Sequence, residues 1–136
     1  MLATRNRLRT STDFSTTVRS GVRNGRRNVV LYTAALAADE PSRIGFIVSK
    51  SVGNAVVRNL VKRRLREVGA MSLQKYGSGF AIVVRALPAA AGASWDQLRS
   101  DYDAALENNM KRLGSRLPKA ASSVSYETTQ EGTPRA

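Results

Sequence analysis

The chain contains neither cysteine nor histidine. Without cysteine it forms no disulfide and offers no thiol nucleophile, which fits a reducing compartment, so we expect a cytoplasmic protein. Without either residue, the common zinc sites and the histidine-based catalytic triads are excluded. Catalysis by this chain alone would have to rely on carboxylates, lysine, tyrosine or serine.

Long apolar runs are absent as well. No stretch reaches the roughly 18 apolar residues of a membrane-spanning helix, so we expect no membrane partner. The first 14 residues carry arginines without an apolar segment behind them. This arrangement predicts that no secretory signal is present.

Acidic residues are scarce, and the shortage is uneven. Ten Asp and Glu oppose 22 Lys and Arg, which gives a net charge of +12. Residues 1–67 hold fourteen basic and four acidic residues, whereas residues 68–136 hold eight and six. Such a one-sided field favours a polyanionic partner, above all a nucleic acid. An anionic membrane surface, or a protein that is merely kept in solution by its charge, is the alternative.

The length and the hydrophobic pattern predict one α+β domain. We place the domain at residues 1–114 and expect a disordered tail over residues 115–136, where Ser, Thr, Pro, Ala and charged residues prevail. Predicted helices cover residues 11–20, 55–71 and 95–113, and predicted strands cover residues 29–34, 43–49 and 80–87. For residues 21–26, GVRNGR, the sequence leaves two alternatives open, a further short strand or a loop.

The order of these elements, α-β-β-(β)-α-β-α, is typical of an α+β fold. We expect a two-layer α/β sandwich with a sheet of about four strands and three helices. The strands at residues 29–34 and 43–49 are separated only by a short turn at Pro41. This close spacing favours an antiparallel pair.

The helix predicted at residues 55–71 has two unlike sides. At about 100° per residue, one side is apolar, and the other carries four cations and an amide. These polar residues are Arg58, Asn59, Lys62, Arg63 and Arg66. Arg64 falls within the apolar arc, so we expect its charged end to reach the rim of the helix.

A solvated charged face on an ordinary amphipathic helix is the alternative interpretation. Such a face normally mixes signs, because like charges four residues apart repel. Here Arg58, Lys62 and Arg66 follow one another at that spacing, and only Glu67 is close enough in the sequence to reduce their repulsion. A polyanion that neutralises them explains the pattern better, and arginine also binds phosphate through two parallel hydrogen bonds. Gly53 and Asn54, which precede the helix, are sufficiently explained by a turn and a helix cap.

The stretch SKSVGNAVVRNLVKRRLRE resembles the signature K-x-V-G-x-A-V-x-R-N-x-x-K-R-x-x-R-E of the bacterial ribonuclease P protein family. The matching residues are Lys50, Val52, Gly53, Ala55, Val56, Arg58, Asn59, Lys62, Arg63, Arg66 and Glu67. The segment RLRTSTDFSTTVRSG is similar to the first helix of the family, and the resemblance extends over residues 5–113. It also implies a left-handed crossover between the strands at residues 43–49 and 80–87, where general topology rules favour a right-handed one.

The resemblance implies the protein subunit of a ribonucleoprotein. Members of the family bind a catalytic RNA as a monomer in a 1:1 complex, and together they remove the 5′ leader of precursor tRNA. The RNA with its Mg²⁺ carries out the hydrolysis, so no catalytic or metal-binding residue is expected on the protein. Arg58, Asn59, Lys62, Arg63 and Arg66 would then face the RNA subunit.

The resemblance also implies a cleft for the single-stranded leader. Its residues would be Phe14, Tyr32, Ser49, Lys50 and Arg85. Aromatic stacking in a positive groove is how proteins hold single strands, but core packing is an equal alternative for both aromatic residues. Val18 stands where relatives often carry a second aromatic residue. After Glu67 relatives often continue with aromatic and basic residues, which residues 68–74 of this chain lack, so we expect the helix to end early at Gly69.

Two other functions compete with this one. A general RNA-binding or ribosomal-type protein of similar fold would share the basic helix but have no role in cleavage. A protein-only nuclease would need clustered carboxylates for metal ions. The nearest acidic group lies on the last predicted helix among ordinary salt pairs, and its members are Asp96, Asp101, Asp103 and Glu107.

Overall fold

The computed structural model describes residues 3–116. This part of the chain forms three α-helices, four strands and two short 3-10 helices. The helices are α1 (Ser11–Ser20), α2 (Ala55–Lys75) and α3 (Trp95–Arg116). The strands are β1 (Val22–Gly25), β2 (Val29–Ala35), β3 (Arg43–Ile47) and β4 (Phe80–Ala86). The 3-10 helices are Thr4–Asn6 and Pro88–Gly92. The predicted α+β class is confirmed, and residues 22–25 form the strand that the sequence left open.

The four strands form one mixed sheet in the order β1-β2-β4-β3. β2 is antiparallel to both β1 and β4, whereas β3 is parallel to β4. The predicted antiparallel pair between β2 and β3 is therefore wrong, because β4 lies between them. The physical reason is the apolar character of β4: residues 81–84 are all buried. A strand that is apolar on both faces belongs in the middle of a sheet, with a hydrogen-bonded strand on each side.

The main core lies between one face of the sheet and helices α2 and α3. Alternate residues of the strands face it, among them Leu31, Ile44, Ile82 and Val84, which are all 0–1% exposed. The buried Asn109 fixes α3 on the sheet, since its Nδ2 donates to the Leu31 carbonyl oxygen at 3.1 Å and to Thr33 Oγ1 at 3.2 Å. Helix α1 packs against the opposite face, over β2 and β4.

For helix α2 the sequence predicted a C-terminal end at Met71 or, earlier, at Gly69. The helix passes both residues and continues to Lys75. Gly69 is buried where the helix crosses β3. A Cβ there would lie 3.0 Å from Phe46 Cζ and 3.4 Å from Ile44 Cδ1. The glycine therefore permits a close approach of helix and sheet rather than ending the helix.

The parallel pairing of β3 and β4 around α2 forms a βαβ unit. The left hand of this crossover stays a prediction from the resemblance. No helix within residues 3–116 is long and apolar enough to cross a membrane. Helix α3 passes Gly114 and ends at Arg116, and the rest of the expected tail lies outside the described residues.

Candidate nucleic-acid interface

Helix α2 holds its cations outward because its other side is anchored in the core. Val61, Leu65 and Val68 are 0–1% exposed and pack against the sheet. The polar side, which we call the basic face, consists of Arg58, Asn59, Lys62, Arg63 and Arg66. Asn59, Arg63 and Arg66 are exposed, whereas Arg58 and Lys62 are half-buried. The five side chains therefore lie together on one rigid helix, as the sequence predicted.

The start of α2 is fixed by two local contacts. Asn54 caps the helix, since its side-chain oxygen accepts from the Val57 N–H at 3.0 Å. The Arg58 Nε donates to the Gly53 carbonyl oxygen at 3.1 Å. A Cβ at Gly53 would lie 2.9 Å from Val57 Cβ, so the turn needs a glycine. The first cation of the basic face is thereby held close to the N-terminus of the helix, where anions bind favourably.

The cations of the basic face are not engaged in ion pairs with Asp or Glu within residues 3–116. Arg64, which the sequence placed at the rim, is half-buried and donates from Nη1 to the Ala93 carbonyl oxygen at 3.1 Å. The positive charge of the face is therefore not neutralised by ion pairs within residues 3–116, unlike that of a solvated face with mixed signs.

A cleft of about 840 Å³ lies beside the basic face, along the outer edge of β3. We call it the β3 cleft. Its walls come from the N-terminal segment, α1, β3 and α2, and they comprise Arg7, Leu8, Phe14, Ile44, Gly45, Phe46, Lys62, Arg63, Arg66 and Glu67. The Leu8 N–H donates to the Ile44 carbonyl oxygen at 3.1 Å, which holds the N-terminal segment against the strand. Cations of the basic face and an aromatic side chain from α1 thus share one depression.

Phe14 is both a packing residue and a wall of the β3 cleft. It is half-buried, and its ring lies directly over Gly45. A Cβ on Gly45 would lie 2.3 Å from Phe14 Cζ and 2.5 Å from Cε2. Phe14 therefore packs on the sheet and also lines the cleft, and its contact with a ligand stays a prediction.

Tyr32 and Arg85 lie on the same face of the sheet as α1. Tyr32 is half-buried and stands opposite Val83, while the exposed Arg85 stands opposite Val30 on one side and Ile47 on the other. Tyr32 therefore faces away from the main core and does not pack in it. Neither residue lines the β3 cleft.

Ser49 and Lys50 are exposed just beyond the end of β3. The Ser49 and Ser51 hydroxyl groups are hydrogen-bonded at 2.8 Å. The five residues predicted for the leader therefore do not share a single pocket. Phe14 lines the β3 cleft, Tyr32 and Arg85 lie on the sheet, and Ser49 and Lys50 follow its edge strand.

The sequence did not identify Arg7, Gly45 and Phe46 as parts of the site. Gly45 carried the one available signal, since a glycine inside a strand often marks a close approach to another group. The contact between the N-terminal segment and β3 joins residues far apart in the chain, and no local pattern indicates it.

Two of the four acidic residues of α3, Asp101 and Asp103, are engaged in structural contacts. Asp101 accepts from the backbone N–H and the side-chain Nδ2 of Asn28, at 3.0 and 2.9 Å. Asp103 pairs with Arg99 at 3.6 Å. Among residues 3–116, no three His, Cys, Asp or Glu side chains are grouped as metal ligands.

Comparisons with known proteins agree with this geometry. A sequence model of the family Ribonuclease P matches residues 2–110. The chain is 88% identical over 136 residues, and over 100% of both chains, to the ribonuclease P protein component of Arthrobacter sp. (strain FB24). It is 49% identical to that of Streptomyces bikiniensis, over 79% of this chain and 94% of that one. The fold is similar to that of the Staphylococcus aureus RNase P protein, with a TM-score of 0.66 and 28% identity over 75% of this chain and 93% of that one.

Proposed function

The chain belongs to the ribonuclease P protein family, and we propose that it binds the catalytic RNA of ribonuclease P and helps it to remove the 5′ leader of precursor tRNA. Membership of the family implies a role in tRNA 5′ processing. The observation that carries the finer proposal is the basic face of α2. Its cations have no acidic partner within residues 3–116, so a folded RNA can neutralise all of them at once.

The β3 cleft and the neighbouring sheet face suit a single-stranded leader. An unpaired strand exposes base faces for stacking and phosphates for cations, and proteins bind it with aromatic residues inside a positive groove. Here Phe14 borders the cleft beside Lys62 and Arg66. In this proposal, bases of the leader stack near Phe14 and Tyr32, while Arg85, Ser49 and Lys50 bind the backbone further along.

In our proposal the chemistry belongs to the RNA. Mg²⁺ bound by RNA would supply the charge neutralisation and the activated water that phosphodiester hydrolysis requires. The described residues offer no group of metal ligands, so we assign no Mg²⁺ site to the protein. We propose one protein per RNA, acting in the cytoplasm, where bacterial tRNA precursors are made.

A cleavage assay tests the proposal. Purified protein, a bacterial ribonuclease P RNA and a 5′-labelled precursor tRNA are combined at low Mg²⁺, with each macromolecule also omitted in turn. We expect no cleavage by the protein alone and a higher cleavage rate when it is added to the RNA. Cleavage without the RNA would instead identify a protein-only nuclease. A rate unchanged by the protein would leave a general RNA-binding protein as the function.

A further inference from the structure

A second group of cations lies at the opposite edge of the sheet from β3. Arg23 and Arg26 belong to β1 and the turn after it, and Arg112 belongs to the last turns of α3. All three side chains are exposed. We call these three residues the basic edge. In the sequence these residues contribute to the net charge, but no motif indicates a role for them.

The basic edge is held together by neutral acceptors. The Arg112 Nη1 donates to the Arg23 carbonyl oxygen at 2.6 Å, and the Arg26 Nε donates to Asn24 Oδ1 at 2.9 Å. Asn24 is in turn bonded to Asn108 of α3, at 3.0 Å from its Nδ2 to the Asn108 Oδ1. The Arg23 guanidinium lies over Gly25, with its two Nη atoms 3.7 and 3.8 Å from the position of a Cβ there.

No carboxylate takes part in these contacts. Within residues 3–116, none of the three arginines pairs with Asp or Glu. Each guanidinium carries five N–H donors. Arg26 and Arg112 each use one of these donors in the contacts described above. The remaining donors are of the kind that binds the paired oxygens of a phosphate. The nearby Arg27 is not included, because it borders a cavity that also holds Asp96 and Asp101.

We propose that the basic edge is a second RNA-binding surface, which binds the phosphodiester backbone of the RNA that occupies the basic face. This inference rests on the proposed function. β1 and β3 are the two outer strands of the sheet, so they lie about three strand spacings, or ~14 Å, apart. The cleft beside the basic face follows β3, so in this proposal the RNA extends from the β3 side of the sheet to the β1 side. Arginine–phosphate contacts fix position without reading sequence.

Tethered cleavage of RNA locates each surface directly. The chain has no cysteine, so a single introduced cysteine takes an iron–EDTA probe at one known place. Gly25→Cys suits the basic edge because its Cβ meets nothing closer than 3.7 Å and all three arginines are kept. Asn59→Cys reports on the basic face in the same way. We expect the Gly25 probe to cut a ribonuclease P RNA at positions that the Asn59 probe does not cut.

The salt dependence of binding tests the charges themselves. The variant Arg23→Gln/Arg26→Gln removes two cations but leaves the contact between Arg112 and the backbone intact. We expect the slope of log K against log salt to fall by about 0.9 for each lost phosphate contact, so by roughly 2 in this variant. Arg99→Gln is the matched control, since Arg99 is an exposed arginine on a different part of α3 that pairs with Asp103.

The outcomes separate this inference from the proposed function. RNA binding at the basic edge is supported if both probes cut and if the salt slope falls in Arg23→Gln/Arg26→Gln but not in Arg99→Gln. If the Asn59 probe cuts and the Gly25 probe does not, or if the double variant keeps the parental slope, the basic edge is wrong and the proposed function stands. If neither probe cuts, the proposed function fails together with the inference. Thermal unfolding of each variant confirms that it is folded.

Discussion

At the scale of single residues, the cleft depends on a glycine. Gly45 leaves room for the Phe14 ring on the sheet, and Leu8 Cβ is also only 3.0 Å from the position of a Cβ there. A side chain at residue 45 would need the space that Phe14 and the N-terminal segment now occupy. The glycine thus sets the depth at which an aromatic side chain lines the β3 cleft.

Replacing Gly45 by alanine should therefore displace Phe14. We expect the free energy of unfolding to fall by about 1–3 kcal/mol, the usual cost of overpacking a well-packed site. Urea unfolding measures the change. In a Phe14→Ala background the same substitution should cost much less, because the ring that it meets is gone. Equal costs in the two backgrounds would show that the Phe14 contact is not the cause.

Phe14 should matter more for precursor than for mature tRNA. Phe14→Leu keeps an apolar side chain over Gly45 but removes the ring face. We expect binding of precursor tRNA by the assembled ribonucleoprotein to weaken by about 1–3 kcal/mol, as for one stacked base, with little change for mature tRNA. Filter binding of both RNAs measures this. An equal loss for both would indicate a folding defect instead of a lost leader contact.

Tyr102 links α3 to α2 inside the core. Its hydroxyl lies 3.0 Å from Ser72 Oγ, which itself donates to the Gly69 carbonyl oxygen at 2.8 Å. Burial raises the pKa of the Tyr102 phenol well above its usual range. The unfolded phenol loses its proton near pH 10, whereas the folded one keeps it, so the stabilising effect is complete below pH ~10 and is lost at higher pH.

The free energy of unfolding should therefore fall above pH ~10 more steeply in the parent than in Tyr102→Phe. Between pH 9 and pH 11 we expect an additional loss of roughly 1 kcal/mol from this group. Urea unfolding of both proteins across that range gives the difference, in which the other titrating residues cancel. Parallel curves would show that Tyr102 does not titrate differently in the two states.

At the scale of elements, sequence patterns predicted what is local. The capping contact of Asn54 forms as expected. Thr10 and Ser94 cap α1 and α3 in the same way, and each helix begins directly after its cap. The strand pairing and the end of α2 were missed. Both depend on contacts between distant segments: β4 inserts between β2 and β3, and Gly69 meets Phe46. A glycine in a helical pattern indicates either an end or a close approach, and only the packed partner decides which.

The basic face of α2 should behave as a set of phosphate contacts. Lys62→Gln/Arg63→Gln removes two cations but leaves the Arg58 contact with Gly53 and the buried side of the helix in place. We expect the salt slope of RNA-subunit binding to fall by about 0.9 for each lost phosphate contact. Fluorescence anisotropy titrations over a range of salt concentrations measure it. An unchanged slope would mean that these side chains do not touch RNA.

The candidate site could be predicted from the sequence only in part. The basic face follows from helical periodicity and lies as predicted on one side of α2. The leader residues come from four separate segments, and they lie over a cleft, a sheet face and a strand end instead of in one pocket. The β3 cleft itself requires the contact of residues 7 and 8 with β3, which is a property of the fold.

At the scale of the whole molecule, the basic face on α2 and the basic edge beside β1 are two separate groups of cations. If the basic edge and the basic face bind one RNA independently, the effects of their substitutions should add, because the two surfaces share no residue. A variant carrying all four substitutions, at residues 23, 26, 62 and 63, should lose the sum of the two reductions in salt slope. Titrations of the four proteins at matched salt measure this. A combined reduction no larger than that of either pair alone would mean that both sets of substitutions act on the same RNA contacts.

The central position of β4 constrains the order in which the molecule can be assembled during synthesis. β2 and β3 leave the ribosome well before the strand that must lie between them, and so does α2. The sheet cannot close in the order in which its strands are made, and its pairings span long stretches of chain, which slows folding. The nascent chain therefore carries an arginine-rich segment without its β-scaffold until Phe80–Ala86 has emerged.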